Sequence, residues 1–207
     1  SDLGVGQALY HQLHSNHDVT APTRQDLDLS DSGSVINYVH IAYDMLINCA
    51  GTGIGGKIDF INHRSDNIED ILQINLVSPV LLTQSILQKN PAAKIVNITS
   101  TNNSRYWPND LAYSLSKKAL EEFGNMLRVE YPNVNLLNVR LGLTKTNFNQ
   151  NRYKECPERF VDIYTNKHLE VNDVADKIMA VLFDPAVKDI EISRSDEHTS
   201  ELQSLRH

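Results

Sequence analysis

Short apolar runs alternate along the chain with segments whose apolar residues recur every three or four positions. The runs at 18–23, 44–48, 94–99, 135–140 and 189–192 predict strands. The segments near 4–14, 31–40, 65–89, 110–130 and 171–183 predict helices. In 65–89 the residues Ile68, Ile71, Leu72, Ile74, Leu76 and Val80 mark a largely buried helix. Pro79 lacks an N–H and predicts a bend or a helical junction there. Near-continuous apolar strands suit a sheet buried on both faces, and strand–helix alternation makes that sheet parallel. The expected class is α/β: a doubly wound parallel sheet with helices on both faces, in one domain over 1–193.

Composition narrows the picture. With 207 residues, 41% of them hydrophobic, the chain suits one domain with a substantial core. A net charge of −7 and the lack of a Lys/Arg cluster argue against a nucleic-acid partner. Cys49 and Cys156 stand far apart in no metal-ligand spacing, so no metal is expected. No uninterrupted apolar run reaches the roughly 18 residues of a membrane span, so no membrane partner is expected. Two unpaired thiols suit a reducing, cytoplasmic setting.

The candidate chemistry lies between the central strand and the next helix. Tyr113 and Lys117 are four residues apart and share a helix face, and Ser100 lies thirteen positions before Tyr113 at a strand's carboxyl end. Ligands of open α/β sheets bind at that edge. A phenol titrates near 10 in water, and an ammonium beside it favours the phenolate. Each residue also has a plain role open to it: a snorkelling lysine, a partly buried tyrosine, or a serine opening a turn.

This triple resembles the active site of the short-chain dehydrogenase/reductase family, which has a Rossmann-like fold. Further residues match that family's pattern: Gly4 and Gly6 in the opening turn, Asn48, Ala50 and Gly51 after the second clear strand, and Asn75 within a helix. Gly142 and Thr146 match the loop after 135–140. Cys49 stands where the family has a second asparagine, and Leu141 where it commonly has proline. The resemblance implies an NAD(P)-dependent oxidoreductase acting on a small carbonyl or alcohol substrate. Ser100, Tyr113 and Lys117 would be catalytic and Asn75 would hold a water behind the lysine. Gly4, Gly6, Asn48, Ala50, Gly51, Tyr113, Lys117, Gly142 and Thr146 would meet the cofactor. Relatives form homodimers or homotetramers through helices equivalent to 65–89 and 110–130.

Cofactor choice rests on the end of the 18–23 run. Thr23 is uncharged and Arg24 is basic, which favours NADP over NAD, and Asp28 matches an acid near the adenine. Arg24 could instead be a surface residue, and Asp28 could cap the helix that follows. The short interval between them leaves little room for a third strand, a feature resembling nucleotide-sugar reductases and epimerases of the extended branch. That branch is the alternative enzyme reading, and a non-catalytic NADP-sensing protein is the alternative from another class.

Two expectations concern the ends. The chain enters a helical pattern directly from Gly4-Val-Gly6, so a first strand of about ten residues with its turn would precede Ser1. Residues 194–207 are polar, without amphipathic order, and read as a non-native tail, with a disordered polar tail as the alternative. Residues 147–168 would cover the substrate, with Phe148, Tyr153, Phe160 and Tyr164 as its aromatic wall or as packing for the lid.

Overall fold

The computed structural model describes residues 4–103, 108–159 and 168–194. The expected tail, from residue 195 on, and the lid residues Phe160 and Tyr164 lie outside them. Four strands, β1 (Met45–Asn48), β2 (Lys94–Ser100), β3 (Asn135–Leu141) and β4 (Asp189–Ile192), pair in parallel in chain order. The α-helices among the described residues are α1 (Val5–Leu13), α2 (Ser32–Tyr38), α3 (Ser65–Leu72), α4 (Ser78–Lys89), α5 (Leu111–Glu130), α6 (Phe148–Arg152) and α7 (Val171–Leu182).

The period-two alternation of the strands divides the core between two faces. Val96, Ile98, Leu137 and Val139 pack with Leu9 of α1 and Val174 and Ile178 of α7. Ile95 and Leu136 point the other way, toward Val35 of α2 and Leu82 and Ile86 of α4. β2 is buried along its whole length, as a strand covered on both faces must be.

A polar row crosses this sheet. The register pairs Asn48 with Asn97, Asn97 with Asn138, and Asn138 with Asp189. Their side chains bond in sequence: Asn48 Nδ2 donates to Asn97 Oδ1 at 3.0 Å, Asn97 Nδ2 to Asn138 Oδ1 at 3.3 Å, and Asn138 Nδ2 to Asp189 Oδ1 at 3.2 Å. Asn97 and Asn138 are fully buried. A one-residue slip would strand these amides in an apolar layer, so the row pins the register. Gly124 lets α5 come close to it, since a Cβ there would lie 2.7 Å from Asn138 Oδ1.

The expected strand at 18–23 does not form; residues 18–23 are irregular and 24–26 turn. An extended segment gains nothing without a hydrogen-bonded neighbour, and among the described residues β1 pairs only with β2. Pro22 has no N–H to give, and the Thr23 amide donates to the Asp26 carboxylate at 2.9 Å. Nor does a short third strand lie between Arg24 and Asp28, where the Asp26 and Leu27 amides close turns onto Thr23.

The stretch 65–89 is helical throughout but not regular: α3 passes into a π-helical segment, Gln73–Val77, and then α4. Pro79 cannot donate to the carbonyl of Asn75 four residues earlier, and the ladder relieves this by widening one turn. By length and composition Ser65–Lys89 is apolar enough to cross a membrane, contrary to the run-length reading above. In this fold it buries Ile71, Leu82 and Ile86, along with the polar Asn67, Asn75, Ser78 and Thr83.

Candidate active site

A groove of about 1690 Å³ runs along β1 from the amino ends of β1 and β2 to the carboxyl ends of β1, β2 and β3, where the amino ends of α1 and α5 also line it. Ser100 is the last residue of β2, where Asn102 donates its backbone N–H to Ser100 Oγ at 3.2 Å. Asn109, with φ 63°, turns the chain sharply into α5, whose first turns carry Tyr113 and Lys117. The expected triple is thus assembled: Ser100, Tyr113 and Lys117 all line the cavity, with the Ser100 hydroxyl close enough to the Tyr113 phenol to favour its ionised form.

Lys117 is 4% exposed, and its Nζ donates to the Ile98 carbonyl at 3.0 Å. Burial pulls its ammonium down to about 8, although the nearby Cys49 thiol favours the charge. Burial likewise pushes the Cys49 thiol up to about 11, so Cys49 is an unreactive thiol. The Tyr113 phenol departs from expectation. Loss of surrounding water pushes it up to about 12, against the favourable Arg152 guanidinium, with Asp110 adding to the rise and Ser100 opposing it. The neighbouring lysine is visible in the sequence, but the desolvation that dominates here arises only on folding.

Asn75 sits on the π turn, fully buried. Its Oδ1 accepts from the Thr52 N–H at 2.7 Å, and its Nδ2 donates to the Thr52 carbonyl at 2.8 Å and to Ser116 Oγ at 3.0 Å. It therefore clamps the turn after β1 to α5. Gly51 in that turn is needed because a Cβ would meet Lys117 Nζ at 3.2 Å and Asn75 Oδ1 at 3.3 Å. The Asn48 side chain is committed to Asn97 and Thr83 rather than to the cavity, while exposed Ala50 lies in its wall.

Gly4 is the N-cap of α1, with no side chain capping that helix, and Gly6 packs against Cys49, whose Sγ a Cβ there would meet at 3.4 Å. Both glycines line the cavity, so the positive end of the α1 dipole faces it. Gly142 is tied by its N–H to the Ile192 carbonyl at 2.9 Å, and Thr146 Oγ1 accepts from the Phe148 N–H at 3.1 Å, starting α6. Phe148 then packs 5.4 Å from the Tyr113 ring, while Tyr153 is buried against the Gly56 turn. One lid aromatic is wall and the other is packing.

Arg24 and Asp28 do not reach the cavity wall. They face each other at 3.7 Å, with Arg24 79% exposed, and the Asp28 carboxylate is held by the Ser30 amide and hydroxyl. Asp31, not Asp28, caps α2.

Sequence reasoning missed a second charged layer. Asp110, at the start of α5, forms a buried ion pair with Arg152, the last residue of α6, and also accepts from Asn102 Nδ2 at 3.2 Å. The Arg152 guanidinium carbon lies 5.3 Å from the Tyr113 ring centroid. Forty-two residues separate the pair in the chain, and no local pattern joins them.

Relatives agree with this architecture. A serine dehydrogenase complexed with NADP+ superposes with a TM-score of 0.82 over 93% of this chain and 92% of its own, at 20% identity. A Sphingobium yanoikuyae short-chain dehydrogenase in complex with NADPH gives 0.76 over 98% and 89%, at 16% identity. An uncharacterised oxidoreductase of Bacillus subtilis is 28% identical over 59% of this chain and 44% of its own length. A dehydrogenase/reductase SDR family member of Xenopus laevis is 32% identical over 68% and 44%. Against curated relatives of this kind the chain spans about half their length or less. The sequence pattern of the short chain dehydrogenases matches residues 7–157, and the chain belongs to the short-chain dehydrogenase/reductase family.

Proposed function

We propose that the protein is an NADP-dependent oxidoreductase interconverting a small carbonyl compound and its alcohol. The observation that carries this reading is the meeting of Ser100, Tyr113 and Lys117 on the wall of one cavity that also receives the amino end of α1. The residues present fit a dinucleotide. Gly4 and the uncapped start of α1 suit a pyrophosphate, and the missing Cβ of Gly51 leaves room beside Lys117. The ribose and nicotinamide would meet Lys117, Tyr113, Gly142 and Thr146, and the adenosine end would meet Ala50 and Gly51. A bound nicotinamide supplies or accepts hydride at the substrate carbon.

The protein's own groups handle the proton and the oxygen. Ser100 hydrogen-bonds the substrate oxygen and holds it at the Tyr113 hydroxyl. Tyr113 donates its proton as negative charge develops on that oxygen, and takes it back in the reverse direction. Lys117 stabilises the phenolate left behind and orients the ribose, while Asn75 holds the intervening turn and a water behind the lysine. The exposed Arg24 guanidinium supports NADP, since a 2′-phosphate there would compete with Asp28 for a solvent-accessible cation.

Replacing Tyr113 with Phe tests the reading. Absorbance at the reduced-nicotinamide band, followed over a panel of small aldehydes and ketones, should show turnover falling at least ~10²-fold while NADPH still binds. Equal rates in both proteins would overturn the mechanism. NADPH binding with no turnover by the parent on any substrate would favour the sensing alternative.

A further inference from the structure

We propose that Arg152 and Asp110 are positioning residues that set the proton affinity of Tyr113 from outside the Ser-Tyr-Lys triple, Arg152 favouring the phenolate and Asp110 restraining it. The pair is held where it can act. Asp110 sits three residues before Tyr113 at the head of the same helix, and Arg152 reaches across from α6 to lie over the ring. Their side chains are 1% and 7% exposed. Both charges are thus shielded from water and act at short range on the phenol.

Stability alone does not account for the pair. Two charges this deeply buried lose much of their attraction to desolvation, and an apolar pair of the same volume would hold α6 to α5 as well. Nor is the cluster fully satisfied, because Arg152 Nε has no acceptor among the described residues. Asp110 occupies the N-cap position of α5 yet does not cap it; its carboxylate goes to Arg152 and Asn102. The local use of this aspartate has been given up for one directed at the site.

The charged and titratable groups around Tyr113 make the division of labour clear. From α5 come Asp110 and Lys117, from α6 Arg152, and from β2 the neutral Ser100; Lys57 acts on Asp110, and Cys49 on Lys117. Lys117 loses its proton near 8, whereas a guanidinium keeps its charge throughout the working range. Arg152 is the cation that favours ionised Tyr113. Asp110 opposes it and keeps the phenol a proton donor.

The inference rests on Tyr113 being the proton-transfer group, but its test reads the phenol directly and not turnover. Ortho-difluorotyrosine placed at position 113 of the full chain carries an acidified phenol, and fluorine NMR follows its titration. Asp110→Asn should move the midpoint down by at least about one pH unit, and Arg152→Gln should move it up by a similar amount, with Arg152→Lys restoring it. Far-UV circular dichroism establishes that each variant is folded. A folded Asp110→Asn protein titrating like the parent overturns the proposal. If Asp110→Asn does not fold, equal midpoints for Arg152→Gln and Arg152→Lys overturn it. Midpoints that move as expected in a protein without turnover leave the pair's role standing and count against the oxidoreductase mechanism instead.

Discussion

Replacing Lys117 with Met should make the protein more stable at neutral pH while abolishing its chemistry. Lys117 is 4% exposed, and burial lowers its ammonium from 10.5 to about 8. At about 1.36 kcal/mol per unit, carrying that charge costs the folded state about 3 kcal/mol at pH 7. The variant loses the hydrogen bond to the Ile98 carbonyl, worth about 1 kcal/mol, leaving a net gain of about 2 kcal/mol. The pH dependence carries the sign. Between about 8 and 10.5 the unfolded chain holds more protons on Lys117 than the folded one, so the parent gains stability through that window and the variant does not. The gap should therefore close as pH rises. Cys49 and Tyr113 titrate in the same range with the opposite slope, but they are present in both proteins and largely cancel in the difference. Urea unfolding of parent and variant at several pH values between 7 and 10.5 measures the gap. A variant less stable at pH 7, or a gap that does not change with pH, would refute the reasoning.

Gly124→Ala should destabilise despite removing a glycine from a helix. The helix gains about 1 kcal/mol, but a Cβ 2.7 Å from Asn138 Oδ1 and 3.1 Å from Leu136 Cδ2 disturbs the amide row at a cost of about 1–3 kcal/mol; a higher melting temperature would contradict the account of that row. Arg24→Ala should weaken NADPH binding roughly tenfold and leave NADH unchanged if the guanidinium meets a 2′-phosphate. Calorimetry with both cofactors decides this, and equal effects on the two would remove Arg24 from the site.

The sequence by itself determined the class and singled out the candidate positions, because both depend on local spacing. Runs such as Ile95–Ile98 and the helical stripe through 65–89 fix the elements, and an i, i+4 pair shares a helix face in any fold. That is why Tyr113, Lys117 and the strand-end Ser100 were legible before their meeting place was known. The polar interruptions Asn48, Asn97 and Asn138 were also visible, but that they form one bonded row became clear only from the strand register. Tertiary structure decided what depends on neighbours distant in the chain. The 18–23 run is strand-like in composition yet irregular here, since extension is stabilised only by a pairing partner. The acidity of Tyr113 was misjudged for the same reason: a local lysine is visible in sequence, but desolvation and the Arg152–Asp110 pair exist only after folding. Spacing along the chain selects the reactive groups, and long-range packing sets the surroundings that tune them.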